Sequence, residues 1–184
     1  MQVEKMGFFS RLTRWRTANK KPVEKKGNGD AMRVIAVSDS HGYTGRLSTV
    51  LFAAEQDGPI DAIIHLGDGY YDLRDLKVDL PPVYQVAGNC DRFVSGTLDY
   101  VTLGGAKILL THGHFQHVKE GTDDLLELAM EEKCRAALYG HTHYQKMEWR
   151  NGILILNPGA VTDGKYAVLN ITPLGAVDPE LCHL

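Results

Sequence analysis

Five short polar clusters each stand directly behind a short apolar run: Asp39-Ser40-His41, Gly67-Asp68, Gly88-Asn89-Cys90-Asp91, Thr111-His112-Gly113-His114 and Gly140-His141-Thr142-His143. No other feature of the chain constrains its folding as tightly. If the apolar runs are strands of an α/β sheet, their carboxyl ends converge on one edge, and loops distant in sequence surround a single crevice. Glycines inside the clusters allow sharp turns and close approach of short side chains.

The stretches between the clusters fit that arrangement. Residues 33–37 read as a buried strand, and Leu47, Val50, Leu51 and Ala54 then recur at helical spacing behind Thr44 as a cap, with Asp57-Gly58-Pro59 ending the helix. Residues 62–66 and 83–86 are the next strands, and this β-α-β opening implies a parallel sheet flanked by helices. Residues 98–103 and 106–110, joined at Gly104-Gly105, read as one hairpin, and residues 145–150 and 153–156, joined at Asn151-Gly152, as another. A helix is expected over 122–132, with strands at 136–139 and 166–171. The expected class is α/β: a layered sandwich with antiparallel additions, in a single domain for which 184 residues at 43% hydrophobic suffice.

Residues 1–31 stand apart as a basic flexible tail, the domain is placed at 32–173, and residues 174–184 are read as a C-terminal tail. Residues 1–30 carry eight Lys or Arg against three Asp or Glu, a net of +5, which leaves −8 for the remainder of a chain whose formal total is −3. Phe8, Leu12 and Trp15 fall at i, i+4 and i+7, with Arg11, Arg14 and Arg16 mostly elsewhere on the wheel. A frayed tail is the plainer reading; docking to an anionic membrane or a protein partner is the sharper one, and an organelle-targeting role stays open. The acidic remainder argues against stable nucleic-acid binding, which needs a positive face. Three widely spaced cysteines (Cys90, Cys134, Cys182) imply no disulfide framework, and no apolar run approaches the roughly 18 residues of a spanning helix, so a soluble, cytoplasmic protein is expected. Homo-oligomer formation is left open by the sequence.

The clusters gather carboxylate, amide and imidazole groups, all lone-pair donors, and the carboxylates repel one another unless a cation joins them. Asp39, His41, Asp68, Asn89, His112, His141 and His143 give seven donors, too many for one four-coordinate site with an open position. Two metal ions are therefore expected, with a carboxylate such as Asp68 able to bridge them at the separation two-metal hydrolases use. Mixed oxygen and imidazole ligands suit Mn, Fe, Co, Ni or Zn without selecting among them.

The succession D-x-H, G-D, G-N-x-D, T-H-G-H and G-H-T-H resembles the calcineurin-like metallophosphoesterase superfamily, and among its members the small phosphodiesterases of the YfcE type, over residues 33–172. The resemblance implies a four-layer αββα sandwich that hydrolyses phosphoesters with two divalent transition-metal ions, Mn2+ foremost and Zn2+, Fe2+, Co2+ or Ni2+ as alternatives. It implies Asp39, His41 and His143 on one ion, Asn89, His112 and His141 on the other, and Asp68 between them. Monoesterase relatives carry histidine after the asparagine, whereas this chain has Cys90, as YfcE-type phosphodiesterases often do, so a phosphodiester substrate is favoured over a monoester or nucleotide monophosphate. Cys90 itself is either an aid to the leaving group or a small residue filling space. His114 is a candidate for reaching the substrate or protonating the leaving group. Arg92 and Tyr70, with Tyr71, are candidate substrate contacts, Asp91 is expected to support the asparagine loop, and His65 is read as a satisfied core histidine. Asn157-Pro158-Gly159-Ala160 resembles the family's N-P-G-S turn. A non-catalytic scaffold of the same fold, as in the retromer-subunit relatives, is the reading from another class; those relatives have altered metal ligands, while Asp68 and Asn89 are present here.

Overall fold

Alternation of side chains along the strands decides how the layers stack. The computed structural model describes residues 31–184. Strand β1 (Met32–Val37) turns Val34 and Ala36 to one face and Ile35 and Val37 to the other, and all four are fully buried. Ile35 and Val37 meet Leu47, Val50, Leu51 and Ala54 of helix α1 (Thr44–Gln56), while Val34 and Ala36 face a second sheet. Strands β2 (Ala62–His65) and β3 (Val83–Gln85) continue the first sheet in parallel, separated by the short helix α2 (Asp72–Asp75).

The second sheet is built on the same rule. It comprises β4 (Leu98–Leu103), β5 (Ala106–Thr111), β6 (Ala136–Leu138), β7 (Gln145–Arg150) and β8 (Ile153–Pro158) in the order β4-β5-β6-β8-β7. Ile108, Leu110, Leu138, Leu154 and Leu156 point between the sheets, whereas Leu109, Ala137 and Ile155 pack under helix α3 (Asp123–Glu131) through Leu125, Leu126 and Ala129. Each such aliphatic side chain removed from water contributes about 1.5–3 kcal/mol, so the inter-sheet layer dominates stability. The result is a four-layer αββα sandwich in one domain. Asn151 and Gly152 both have positive φ (53° and 76°), as the two-residue turn of the β7–β8 hairpin requires.

Three expectations change. Residues 174–184 are not a tail: β9 (Lys165–Ile171) turns back into β10 (Val177–His183), and the first sheet runs β10-β9-β1-β2-β3. The strand escaped notice because it is a half-polar edge containing Pro179, a residue tolerated where no further strand pairs; only Val177, Leu181 and Cys182 reach the core. Thr44 is the first helical residue instead of the cap, a place taken by Tyr43 without a side-chain hydrogen bond. Thr122 precedes α3 but spends its hydroxyl on Glu148 Oε1 at 2.9 Å, so the helix opens without a capping side chain. The expected basic tail lies outside the described residues. Among the described residues no helix is long and apolar enough to cross a membrane.

Candidate metal centre

The loops after β1, β2, β3, β5 and β6 open on one edge of the two sheets, and backbone geometry aims their side chains. Five of the seven donor residues have left-handed φ: Asp39 (55°), His41 (47°), Asp68 (54°), His141 (67°) and His143 (63°). Such values are uncommon outside glycine and cluster at sites where surrounding structure enforces them. Gly67, itself at φ 91°, lies so close to Gly88 that a side chain on either would run into the neighbouring loop, which brings Asp68 beside the Asn89 turn.

All seven residues come together. Asp39 is fully buried; its Oδ2 accepts the backbone N–H of His141 at 3.1 Å, and its Oδ1 has no hydrogen bond, lying 3.2 Å from His143 Nε2 and 4.0 Å from His41 Nε2. Asp68 Oδ1 accepts the Cys90 N–H at 2.7 Å, which leaves Oδ2 between His112 Nε2 at 3.4 Å and His41 Nε2 at 3.8 Å. His112 donates from Nδ1 to the Leu66 carbonyl at 2.7 Å, so in the neutral ring Nε2 carries the lone pair. That lone pair faces Asn89 Oδ1 at 3.1 Å, His141 Nδ1 at 3.2 Å and Asp68 Oδ2. An orphaned buried carboxylate oxygen, together with acceptors crowded around a bare imidazole nitrogen, is an arrangement that positive charge relieves. The donor set therefore fits divalent ions of the transition series. Asp39, His41 and His143 form one group with ligand atoms within 4.8 Å of each other; Asp68, through Oδ2, stands between that group and His112.

Titration behaviour in the metal-free protein follows from the same contacts. Burial raises the Asp39 carboxyl above its ordinary value despite nearby His112 and His143. Burial acts upward on Asp68 as well, but His112 and the Cys90 N–H outweigh it and hold the carboxyl below the usual range. His112 is raised because Asp68 and Asp39 overcome its own burial. His141 is pushed down to about 4 by burial, His112 and Lys119, so its ring is neutral at neutral pH.

Two braces hold the loops. Asp91 accepts four backbone N–H groups, from Asp68 (2.7 Å), Gly88 (2.8 Å), Gly69 (2.9 Å) and Tyr70 (2.9 Å), tying the asparagine loop to the Asp68 loop. Asn157 donates to the Gly140 carbonyl (2.7 Å) and Thr142 Oγ1 (3.1 Å) and accepts the Gly159 N–H (2.8 Å), which steadies the His141–His143 loop. His65 belongs to a third chain of contacts. Its Nδ1 accepts the Gly67 N–H at 3.2 Å, so Nε2 donates to Ser40 Oγ at 2.9 Å, and Ser40 donates to Asp72 Oδ2 at 2.6 Å. Fully buried, His65 is lowered to about 4 and is not an eighth donor. Asp72, which also accepts the Gly42 N–H at 2.8 Å, was missed from the sequence: an acidic residue directly after a tyrosine pair carries no signal that it will be buried.

The remaining candidates sit on the same loops as the donors. Cys90 is exposed, with Sγ within 4.8 Å of the His41 and Asp68 donors, and burial of the thiol followed by Asp68, Asp91 and Asp39 raises it above the ordinary thiol range. His114 stacks on Phe115 at 4.1 Å and lies 5.5 Å from His112; its buried Nδ1 has no hydrogen bond, and burial and then His112 lower its pKa. Tyr70 is half-buried and edge-on to Tyr71, which stacks on Arg74, while Arg92 is exposed on the turn after Asp91. One large exposed aromatic closes each of the five donor loops: Tyr43, Tyr71, Phe93, Phe115 and Tyr144. A cleft of about 360 Å³ opens beside the donors, lined by Lys119, His141, Thr142, His143, Tyr144 and Asp163.

The family model of the calcineurin-like phosphoesterase superfamily domain matches residues 32–172. The probable metallophosphoesterase YsnB of Bacillus subtilis is 34% identical over 132 residues, 71% of this chain and 75% of its own. A solved archaeal phosphodiesterase superposes with a TM-score of 0.65 at 20% identity, covering 82% of this chain and 100% of its own. Vacuolar Protein Sorting 29 from Cryptosporidium parvum superposes at 0.63 and 18% identity, covering 84% and 100%. The two structures are likenesses of fold; the family match and the Bacillus relative go further, and by them the chain belongs to the calcineurin-like phosphoesterase superfamily.

Proposed function

We propose that the protein is a metal-dependent phosphodiesterase whose donors hold two divalent ions, Mn2+ foremost. The observation that carries this reading is a pair of carboxylate oxygens, Asp39 Oδ1, which has no hydrogen bond, and Asp68 Oδ2, each directed at imidazole nitrogens from other loops. Asp39, His41 and His143 would hold one ion, Asn89, His112 and His141 the other, with Asp68 shared. Bound there, the ions supply charge against the phosphoryl oxygens and acidify a water for in-line attack. The chain's own residues fix the geometry. Asp91 keeps the Asp68 and Asn89 loops in register, and the Leu66 carbonyl keeps His112 in the tautomer that presents Nε2. The water oxygen bonds to phosphorus as the ester P–O bond breaks, and the departing oxygen takes up a proton.

Preference for a diester rests on charge. A monoester is a dianion near neutral pH and calls for a cation beside the metals, whereas position 90 supplies a thiol held in its neutral form and His114 is held neutral by burial. A phosphomonoesterase or nucleotidase would share the metals but would want a cation at position 90 or 114, where this chain has none. A protein-binding scaffold is the second reading, favoured by the fold shared with Vacuolar Protein Sorting 29; the convergence of all seven donors supports the enzyme.

The test is turnover of bis(p-nitrophenyl) phosphate against p-nitrophenyl phosphate by Mn2+-reconstituted protein. Diester turnover should exceed monoester turnover, and Asp68→Ala should lower it by about a thousandfold, the equivalent of about 4 kcal/mol, with a parallel fall in bound metal. Undiminished turnover and metal content in Asp68→Ala would remove the two-ion site. Cys90→His should raise monoester turnover by about tenfold, within the range of a positioned acid; faster monoester than diester cleavage in the wild type would overturn the diester preference.

A further inference from the structure

The cleft beside His141 and His143 is not needed to hold the donors, yet it opens directly onto them. Its charged walls are unequal. Asp163 is paired with Lys165 at 2.8 Å, whereas Lys119 makes no salt bridge among the described residues and lines the cleft together with His141 and His143. Tyr144, one residue past the last donor, presents an open ring to the same space. Exposed aromatics also end the other donor loops, and among them Phe93 is fully exposed at a left-handed φ of 65°.

A lone cation, an open aromatic ring and a metal centre within one cleft match a substrate of definite chemistry. We propose that this cleft is a subsite for one nucleoside arm of a small nucleotide diester, with the base stacked on Tyr144 and a second anionic group, additional to the scissile phosphate, bound by Lys119. The assignment rests on the phosphodiesterase reading and adds the substrate class to it. The net charge of −8 on residues 31–184 disfavours long polyanions, since their binding draws on many phosphate contacts, and leaves short nucleotides held by stacking and one ion pair.

The full chain, reconstituted with Mn2+, is assayed with the thymidine dinucleotide bearing or lacking a 5′-phosphate; wild-type hydrolysis of bis(p-nitrophenyl) phosphate tests separately the reading underneath. The phosphorylated dinucleotide should have a KM about tenfold lower than its unphosphorylated counterpart, the size of one charge-assisted contact. Lys119→Met should abolish that difference through KM, and Tyr144→Ala should raise KM for both dinucleotides by about tenfold, with Tyr144→Phe restoring it. A second readout is free of turnover: calorimetric affinity for thymidine 3′,5′-bisphosphate should fall about tenfold in Lys119→Met. Equal KM values for the two dinucleotides in the wild type overturn the subsite, as does an unchanged bisphosphate affinity in Lys119→Met. Failure to cleave the aryl diester overturns the phosphodiesterase reading instead, and the calorimetry still decides whether Lys119 binds the second anion.

Discussion

The two sheets contribute opposite chemistry to one site. Loops of the first sheet bring every oxygen donor, Asp39, Asp68 and Asn89, together with His41; loops of the second bring His112, His141 and His143. Their supports differ accordingly. On the first sheet, carboxylates grip backbone N–H groups, four for Asp91 and one plus a hydroxyl for Asp72. On the second, Asn157 grips a carbonyl, a hydroxyl and an N–H, and His112 leans on a carbonyl from the opposite sheet. Acidic donors need their loops held close against mutual repulsion, while imidazoles need an acceptor that fixes the tautomer and aims the ring. The first sheet resists charge; the second sets orientation.

That contrast breaks most readily at Asp91. Asp91→Ala leaves four N–H groups without their acceptor and should cost about 4 kcal/mol in urea unfolding of the metal-free protein, with Asp91→Asn losing less. If Asp91→Ala proved no more costly than Asn157→Ala, the asymmetry between the sheets would be gone. The next effect is a pH dependence. His65 is lowered to about 4 when folded, so as pH falls below the ordinary histidine value of 6.5 the unfolded chain takes up a proton that the folded one refuses. Stability should therefore be complete above pH 6.5 and decline by about 3 kcal/mol on the way down to pH 4. Unfolding curves across that window should flatten in His65→Gln; an unaltered slope would assign the acid sensitivity elsewhere. The smallest effect is expected at Asn157→Ala, about 2 kcal/mol by thermal melting. Its signature is a roughly tenfold loss of metal affinity, as for other residues that orient ligands; loss of stability without loss of affinity would make Asn157 a brace of the fold alone.

Strand placement and the gathering of donor loops were legible in the sequence because both follow from short-range pattern. Buried runs such as Val34–Val37 and Ile108–Leu110 alternate between the inter-sheet layer and a helix, and their ends mark the loops. The partners of Asp72 and His65 were not legible, since a buried chain from Gly67 through His65 and Ser40 to Asp72 depends on how three loops meet in space. Asp91 announced itself by sitting inside a cluster, but the number of N–H groups it serves did not. β10 stayed hidden for the opposite reason: an edge strand needs little apolar character, and Pro179 argued locally against a strand that tertiary pairing accepts.

Because left-handed backbone at Asp39, His41, Asp68, His141 and His143 aims the side chains before any ion arrives, the cage is already assembled in the folded chain. Loading then demands little reordering, and ions can exchange without the protein unfolding around them. The same feature sets the mutational tolerance of these positions: asparagine, which accepts that conformation, can replace a donor while keeping the loop, whereas valine or isoleucine would lose the loop along with the ligand.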